Sequence, residues 1–254
     1  VGKIQPTDVG IIADPKVALT ELADALETGL SGSVKEAAKG RAVTMAAEKE
    51  AARASWQRTV KEKWDRRPMS DERMVSEIAG ALPDDAVVLG DANTTRAAIS
   101  SVFEFDRPGS FFNMRGGAIG WGMGGTMGLK LAHPDRPVVG FVGDGSAMMT
   151  IQGLWTAAND NIPCIFVICN NGMYRVLKVN FNIYQREILH ESEPAGSNLL
   201  YSDFPTPFDI AAIANSMGVH GERITDPSEI APAVQRAVAS GKPAVLDIGI
   251  DGSL

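Results

Sequence analysis

"VGDGSAMMTIQGLWTAANDNIPCIFVICNNGMYRVLK", residues 142–178, places Gly143-Asp144-Gly145-Ser146 at the end of one apolar run and Asn170-Asn171-Gly172 at the end of the next. The runs are Pro137–Val142 and Pro163–Cys169, with the helix-like 150–160 between them. Short, continuously apolar strands alternating with helical segments indicate a parallel sheet covered on both faces. In such a sheet ligands bind beyond the carboxyl ends of the strands. If the two strands are neighbours, Asp144 and Asn171 share one rim.

The same texture extends outward. Ala86–Leu89 and Pro243–Ile248 read as two further strands, and 118–132, 173–182, 208–217 and 227–240 as further helices. The predicted fold class is therefore α/β, a doubly wound, mainly parallel sheet with helices on both faces. Residues 183–207 read as a long loop, a candidate lid. Upstream, Val17, Leu19, Leu22, Leu26 and Leu30 recur near a 3.6 period over 16–31, which predicts an amphipathic helix. Residues 33–66, rich in Ala, Lys, Glu and Arg, suit one or two exposed connecting helices. Pro68 ends that run, and Ser70 or Asp71 is placed to cap a helix reaching about Leu82. The expected organisation is a preceding piece over 1–31, a helical linker over 32–67 and the main domain over 68–254.

Composition narrows the function. With 254 residues and a net charge of −7, the chain lacks the basic stripe a nucleic-acid binder needs. No apolar run reaches the roughly 20 residues that span a bilayer. Cys164 and Cys169, five apart on one strand, point to opposite faces. They read as buried, reduced core residues, consistent with a cytoplasmic location.

The residue types at the predicted rim suit a hard cation. A carboxylate, an amide oxygen, a backbone carbonyl and water match Mg²⁺, which takes few protein ligands and completes its shell with phosphate oxygens. Gly143 and Gly145 let a phosphate approach the backbone closely. Ser146, Ala147 and Gly172 offer N–H groups at helix starts. The alternative is a pair of ordinary turns. Gly-Asp-Gly and Asn-Asn-Gly are each weak signals, but Asp144 and Asn171 lie 27 positions apart with one helix and one strand between. The reading is a magnesium–diphosphate site split over two βα loops.

GDG followed after 25 to 30 residues by NN resembles the signature of thiamine-diphosphate-dependent enzymes. The chain is similar to the C-terminal cofactor-binding domain of the 2-oxo-acid decarboxylase and acetolactate synthase superfamily. Its texture is nearest to benzoylformate decarboxylases in Gly143–Ser146, Leu154–Ala158, Asn161–Ile168 and Asn170–Tyr174. The resemblance covers about residues 68–250. It implies thiamine diphosphate and Mg²⁺ as cofactors, with Asp144, Asn171 and the Met173 carbonyl on the metal. It implies Ser146, Ala147, Gly172 and Tyr174, with Asn93 and Thr94 on an earlier loop, at the diphosphate. By residue matching, the Gly117 carbonyl accepts from the aminopyrimidine and Ile119 bends the cofactor so that its amino nitrogen nears the C2 proton. Leu177 and Asn180 would face the substrate. Lys178 and Asn180 depart from the aromatic-lined site of a benzoylformate enzyme.

"RGGAIGWGMGGTMG", residues 115–128, carries Gly120, Gly122 and Gly125 in a G-x-G-x-x-G pattern. A nicotinamide or flavin site would need a good strand before it and an acidic residue ending a later strand. Here the strand is poor, and the only such residue is Asp144, already assigned. Gly120, Gly124 and Gly128 fall on one helical face. A side-chain-free stripe there allows another backbone to pack closely, the reading preferred for Gly124 and Gly128.

The resemblance also implies a part this chain lacks: a pyrimidine-binding N-terminal half or subunit carrying a catalytic glutamate, in a homo-oligomer, dimer or tetramer, of the complete enzyme. "VGKIQPTDVGIIADPKVALTELADAL", residues 1–26, is similar to the end of the family's middle domain. The implied activity is decarboxylation of a 2-oxo acid. An acetolactate synthase-like carboligase and a non-catalytic cofactor-binding subunit are the alternatives. His133, at a helix end, and His220, before a likely strand, read as structural or exposed. His190 is the histidine placed to approach the site from the 183–207 loop.

Overall fold

A computed structural model describes residues 4–114, 116–191 and 199–254. The chain divides into two compact units, Val1–Ser55 and Trp56–Leu254. In the first, helix α1 (Pro15–Gly29) is capped by Asp14, whose carboxylate accepts from the N–H groups of Lys16 and Val17. The expected apolar stripe is present, but α1 buries no residue. Helix α2 (Gly32–Lys63) is a single long helix that also buries none. Its Trp56 belongs to the second unit and packs against that unit's core.

The second unit is built on six parallel strands in the order β2-β1-β3-β4-β6-β5. These are β1 (Val87–Asp91), β2 (Phe111–Asn113), β3 (Val138–Gly143), β4 (Ile165–Asn170), β5 (His220–Ile224) and β6 (Ala244–Gly249). The helices are α3 (Asp71–Ala81), α4 (Arg96–Val102), α5 (Gly122–Ala132), α6 (Asp144–Met149), α7 (Gly153–Asn159), α8 (Arg175–Glu187), α9 (Ile210–Ser216) and α10 (Ile230–Ser240). Every residue of β1 and β4 is buried, as strands covered on both faces require. Alternate residues feed two cores. Val88, Phe141, Val167 and Leu246 meet Met74 and Ile78 of α3, Ile99 of α4 and Val234 of α10. Val87, Val142, Phe166 and Val245 meet Met123 of α5, Leu154 of α7 and Ile210 of α9. Cys169 belongs to the first core and Cys164 to the second, on opposite faces as their spacing implies. Both are free thiols, and burial pushes Cys164 up to about 12.

Four strands and the cap follow the sequence closely, and most helices fall within the expected segments, with α6 unforeseen. Ser70 caps α3 by accepting from the Arg73 N–H at 3.2 Å. Four expectations need correction. The edge strand β2 was not anticipated, and His220 begins β5 rather than preceding it. Residues 183–187 extend α8 instead of opening a loop. The stretch 202–204 is tied down, with Tyr174 N–H donating to the Ser202 carbonyl (2.7 Å) and Phe204 N–H to that of Gly172 (2.8 Å). The part of the expected lid at 192–198 lies outside the described residues.

The fourth correction concerns the glycines. Gly124 and Gly128 face open space. The tightly packed ones are those of the G-x-G-x-x-G pattern. A Cβ on Gly122 would come within 2.7 Å of Asp91 Cβ, and one on Gly125 within 2.6 Å of the Trp121 ring. Helix α5 starts only at Gly122, because Gly116, Gly117 and Gly120 have φ of +75°, +74° and +98°. That left-handed backbone makes a turn before the helix.

Candidate functional site

Strand β1 is followed in sequence by β2 on one side of it, yet β3 lies on its other side. The β1/β3 junction is therefore a topological switch point, where doubly wound sheets open a crevice. A cleft of about 590 Å³ lies there. From β1 and its loop come Asp91, Asn93 and Thr94; from the turn before α5, Gly117 and Ile119; from β3 and α6, Gly143, Asp144, Gly145 and Ser146. The loop after β4 and the start of α8 bring Asn171, Met173, Tyr174, Leu177 and Asn180. Thirteen of the fifteen sequence-nominated residues thus line one cleft. The other two sit beside it. Gly172, at φ +71°, gives its N–H to Asp144, and Ala147 turns its side chain into the second core.

Asp144 joins the two loops of the opening motif. Its Oδ2 accepts from the Gly172 N–H at 2.7 Å, and its Oδ1 from the Gly145 N–H at 2.8 Å. The side chain is 3% exposed. Burial pushes the carboxyl up to about 6, against the pull of those two N–H groups, and the Asp247 carboxylate raises it further. A buried carboxylate met only by N–H groups of the backbone is poised to receive a cation. The donor set is oxygen-rich: Asn171 Oδ1 accepts from the Met173 N–H at 3.1 Å and retains a second lone pair. Among the described residues no three His, Cys, Asp or Glu side chains cluster. A metal here would rely on one carboxylate plus amide and carbonyl oxygens, the pattern that suits Mg²⁺ with a phosphate ligand.

The two asparagines of the Asn-Asn pair do different work. Asn170 Nδ2 donates to Asp247 Oδ1 (2.9 Å) and to the Phe208 carbonyl (3.3 Å), while Asp247 Oδ2 accepts from Arg223 (2.8 Å) and the Ile210 N–H (3.2 Å). Asn170 is thus a buried anchor for the end of β4, and Asn171 is the one that lines the cleft. Gly145 lies under the Tyr174 ring, which a Cβ there would overlap. The same ring stands edge-on to Phe204, with centroids 4.8 Å apart.

Lys178 falls differently from its sequence reading, while His133 and His220 fall as read. Lys178 is buried and pairs with Asp203 at 2.6 Å; it is not among the residues that line the cleft. His190 is exposed, as is His220, and His133 caps the end of α5. The sequence reading missed Asp91, which closes β1 at the cleft floor, and Arg175, which lines the cleft and pairs with Asp71 at 3.0 Å. Asp91 did carry a signal: "VVLGD" ends an apolar run in Gly-Asp just as "VVGFVGD" does.

The family described as "Thiamine pyrophosphate enzyme, C-terminal TPP binding domain" matches residues 91–248. Benzoylformate decarboxylase of Pseudomonas aeruginosa is 30% identical over 181 residues, covering 71% of this chain and 32% of that protein. Acetolactate synthase large subunit IlvG of Mycobacterium tuberculosis is 30% identical over 252 residues, covering 98% of this chain and 42% of that protein. The solved structure of the thiamine diphosphate-dependent 4-hydroxybenzoylformate decarboxylase of Rhodococcus jostii RHA1 superposes with a TM-score of 0.63 at 29% identity, over 73% of this chain and 34% of that one. The chain thus spans between about a third and two fifths of the length of these relatives. With the switch-point cleft, the GDG and NN loops and the family match in agreement, the chain belongs to the thiamine pyrophosphate enzymes, as their C-terminal TPP-binding domain.

Proposed function

We propose that this cleft holds thiamine diphosphate through Mg²⁺ and that the complete enzyme decarboxylates a 2-oxo acid, as benzoylformate decarboxylases do. The observation that carries this reading is Asp144, a buried carboxylate bridging the GDG and NN loops with no cationic partner among the described residues. In this reading Asp144, Asn171 and the Met173 carbonyl hold the metal. Ser146, Ala147, Gly172, Tyr174, Asn93 and Thr94 contact the diphosphate, and Gly143 and Gly145 keep its path clear. When bound, the cofactor supplies the nucleophilic carbon and the electron sink for loss of carbon dioxide. The chain's own residues bind and orient. The Gly117 carbonyl accepts a hydrogen bond from the aminopyrimidine, Ile119 fills the space beneath it, and Leu177 and Asn180 border the substrate region.

Among the described residues the cleft's carboxylates are Asp91 and Asp144, and no glutamate lines it. Both aspartates are held by hydrogen bonds inside this chain. The acid that assists the pyrimidine is therefore proposed to come from a pyrimidine-binding half or subunit. A second reading, acetolactate synthase-like carboligation, is favoured by the match to an acetolactate synthase over 98% of the chain. The two readings differ in whether a proton or a second carbonyl compound ends the cycle.

The test supplies aliphatic and aromatic 2-oxo acids, cofactor and Mg²⁺ to the chain with and without a pyrimidine-binding half, and measures carbon dioxide and carboligation products. Carbon dioxide with an aldehyde supports decarboxylation, and acetohydroxy acid products support the second reading. Robust turnover by the chain alone would overturn the split site, because general acid–base help is typically worth about 10²–10⁴-fold.

A further inference from the structure

Asp91 ends β1 at the switch point, and its side chain is 1% exposed. Its two oxygens are used unequally. Oδ2 accepts three hydrogen bonds, from the N–H groups of Gly120 (3.1 Å) and Gly122 (2.9 Å) and from the Ser146 hydroxyl (2.6 Å). Oδ1 is buried with no partner. The Gly120 N–H also reaches Ser146 Oγ at 2.9 Å, and the Gly120 carbonyl accepts from the Thr150 hydroxyl at 2.6 Å. The turn is held at both its N–H and its carbonyl. There is no slack beside it, since a Cβ on Gly120 would come within 2.7 Å of Met149 Cβ and one on Gly122 within 2.7 Å of Asp91 Cβ.

These bonds tie together three segments distant in sequence. One is the end of β1. The second is the turn that carries Gly117 and Ile119. The third is the β3–α6 junction that carries Asp144. We propose that Asp91 is a positioning residue that sets the spacing between the Gly117–Ile119 wall and the Asp144–Ser146 wall of the cleft. This rests on the cofactor reading above, in which the two walls grip opposite ends of one molecule. A carboxylate suits the task better than an amide. One anionic oxygen takes several charge-assisted bonds, whereas an amide would place a donor either toward those donors or in the closed space beside Oδ1.

The experiment uses the full 254-residue chain as wild type, Asp91→Ala and Asp91→Asn. Amide hydrogen exchange reads the turn directly. Calorimetry compares Mg²⁺–thiamine diphosphate, which touches both walls, with Mg²⁺–inorganic diphosphate, which needs only the Asp144 wall. In Asp91→Ala, exchange at Gly120 and Gly122 should quicken at least tenfold while β3 and β4 stay protected. Thiamine diphosphate should bind at least tenfold more weakly, with inorganic diphosphate changed less than threefold. Asp91→Asn should fall between wild type and Asp91→Ala, and it carries the test if Asp91→Ala loses protection throughout. Unchanged exchange at both glycines, or equal weakening of both ligands, would overturn the proposal. If wild type binds neither ligand, the cofactor reading fails and the exchange result alone decides whether Asp91 clamps the turn.

Discussion

At Asp144 burial favours the protonated carboxyl, the form that cannot hold a cation. The folded chain holds this proton up to about pH 6, whereas the ordinary value is 3.8. Because the folded state binds the proton more tightly, the buried charge weakens folding as pH rises from about 4 through 6, by up to about 3 kcal/mol. A bound cation reverses this, since it requires the carboxylate. Mg²⁺-dependent cofactor affinity should therefore be flat above pH 6.5 and fall about tenfold per pH unit below 6; titration calorimetry at several pH values checks it, and an affinity unchanged at pH 5 would remove Asp144 from the metal. Ile119 lines the other wall. Ile119→Ala should leave cofactor affinity within about threefold and lower turnover of the completed enzyme by about 10²-fold, since a small misplacement of reacting groups costs that much. Equal turnover in mutant and parent would take Ile119 out of the site.

Among the elements, α5 is seated on the sheet by absence of side chains. A Cβ on Gly140 of β3 would overlap Thr126 Oγ1, and that hydroxyl is already committed to the Gly122 carbonyl at 2.7 Å. Gly140→Ala should destabilise the chain by about 1–3 kcal/mol through overpacking, read as a lowered urea midpoint; no change would mean that α5 shifts freely. The strands legible in the sequence are those that carry unbroken apolar runs into the middle of the sheet, β1, β3, β4 and β6. The others belong to the edges. β2 is three residues long, and β5, "HGERI", turns polar groups outward, so neither has the pattern of a strand buried on both faces. The GDG and NN loops were legible because each follows such a strand directly. The roles of Asp91 and Asn170 were not, because their partners lie 29 to 77 residues away and only the fold brings them together. The glycine stripe was misread for a related reason: its periodicity assumed a helix over Gly120, and the left-handed turn moves the helix start to Gly122.

For the molecule as a whole, the second unit is a doubly wound sheet with a cleft at its switch point. The relatives that match it are longer, and among the described residues no helix is long and apolar enough to cross a membrane. The central claim is that Asp144 and Asn171 make thiamine diphosphate binding depend on a divalent cation. The most direct measurement is calorimetric titration of thiamine diphosphate into the purified chain with Mg²⁺, with a chelator instead, and with Asp144→Ala in Mg²⁺. The account predicts one cofactor bound per chain with Mg²⁺, and binding weakened at least a hundredfold, about 2.7 kcal/mol, in both other cases. Equal affinity with and without the cation, or full affinity in Asp144→Ala, would contradict it.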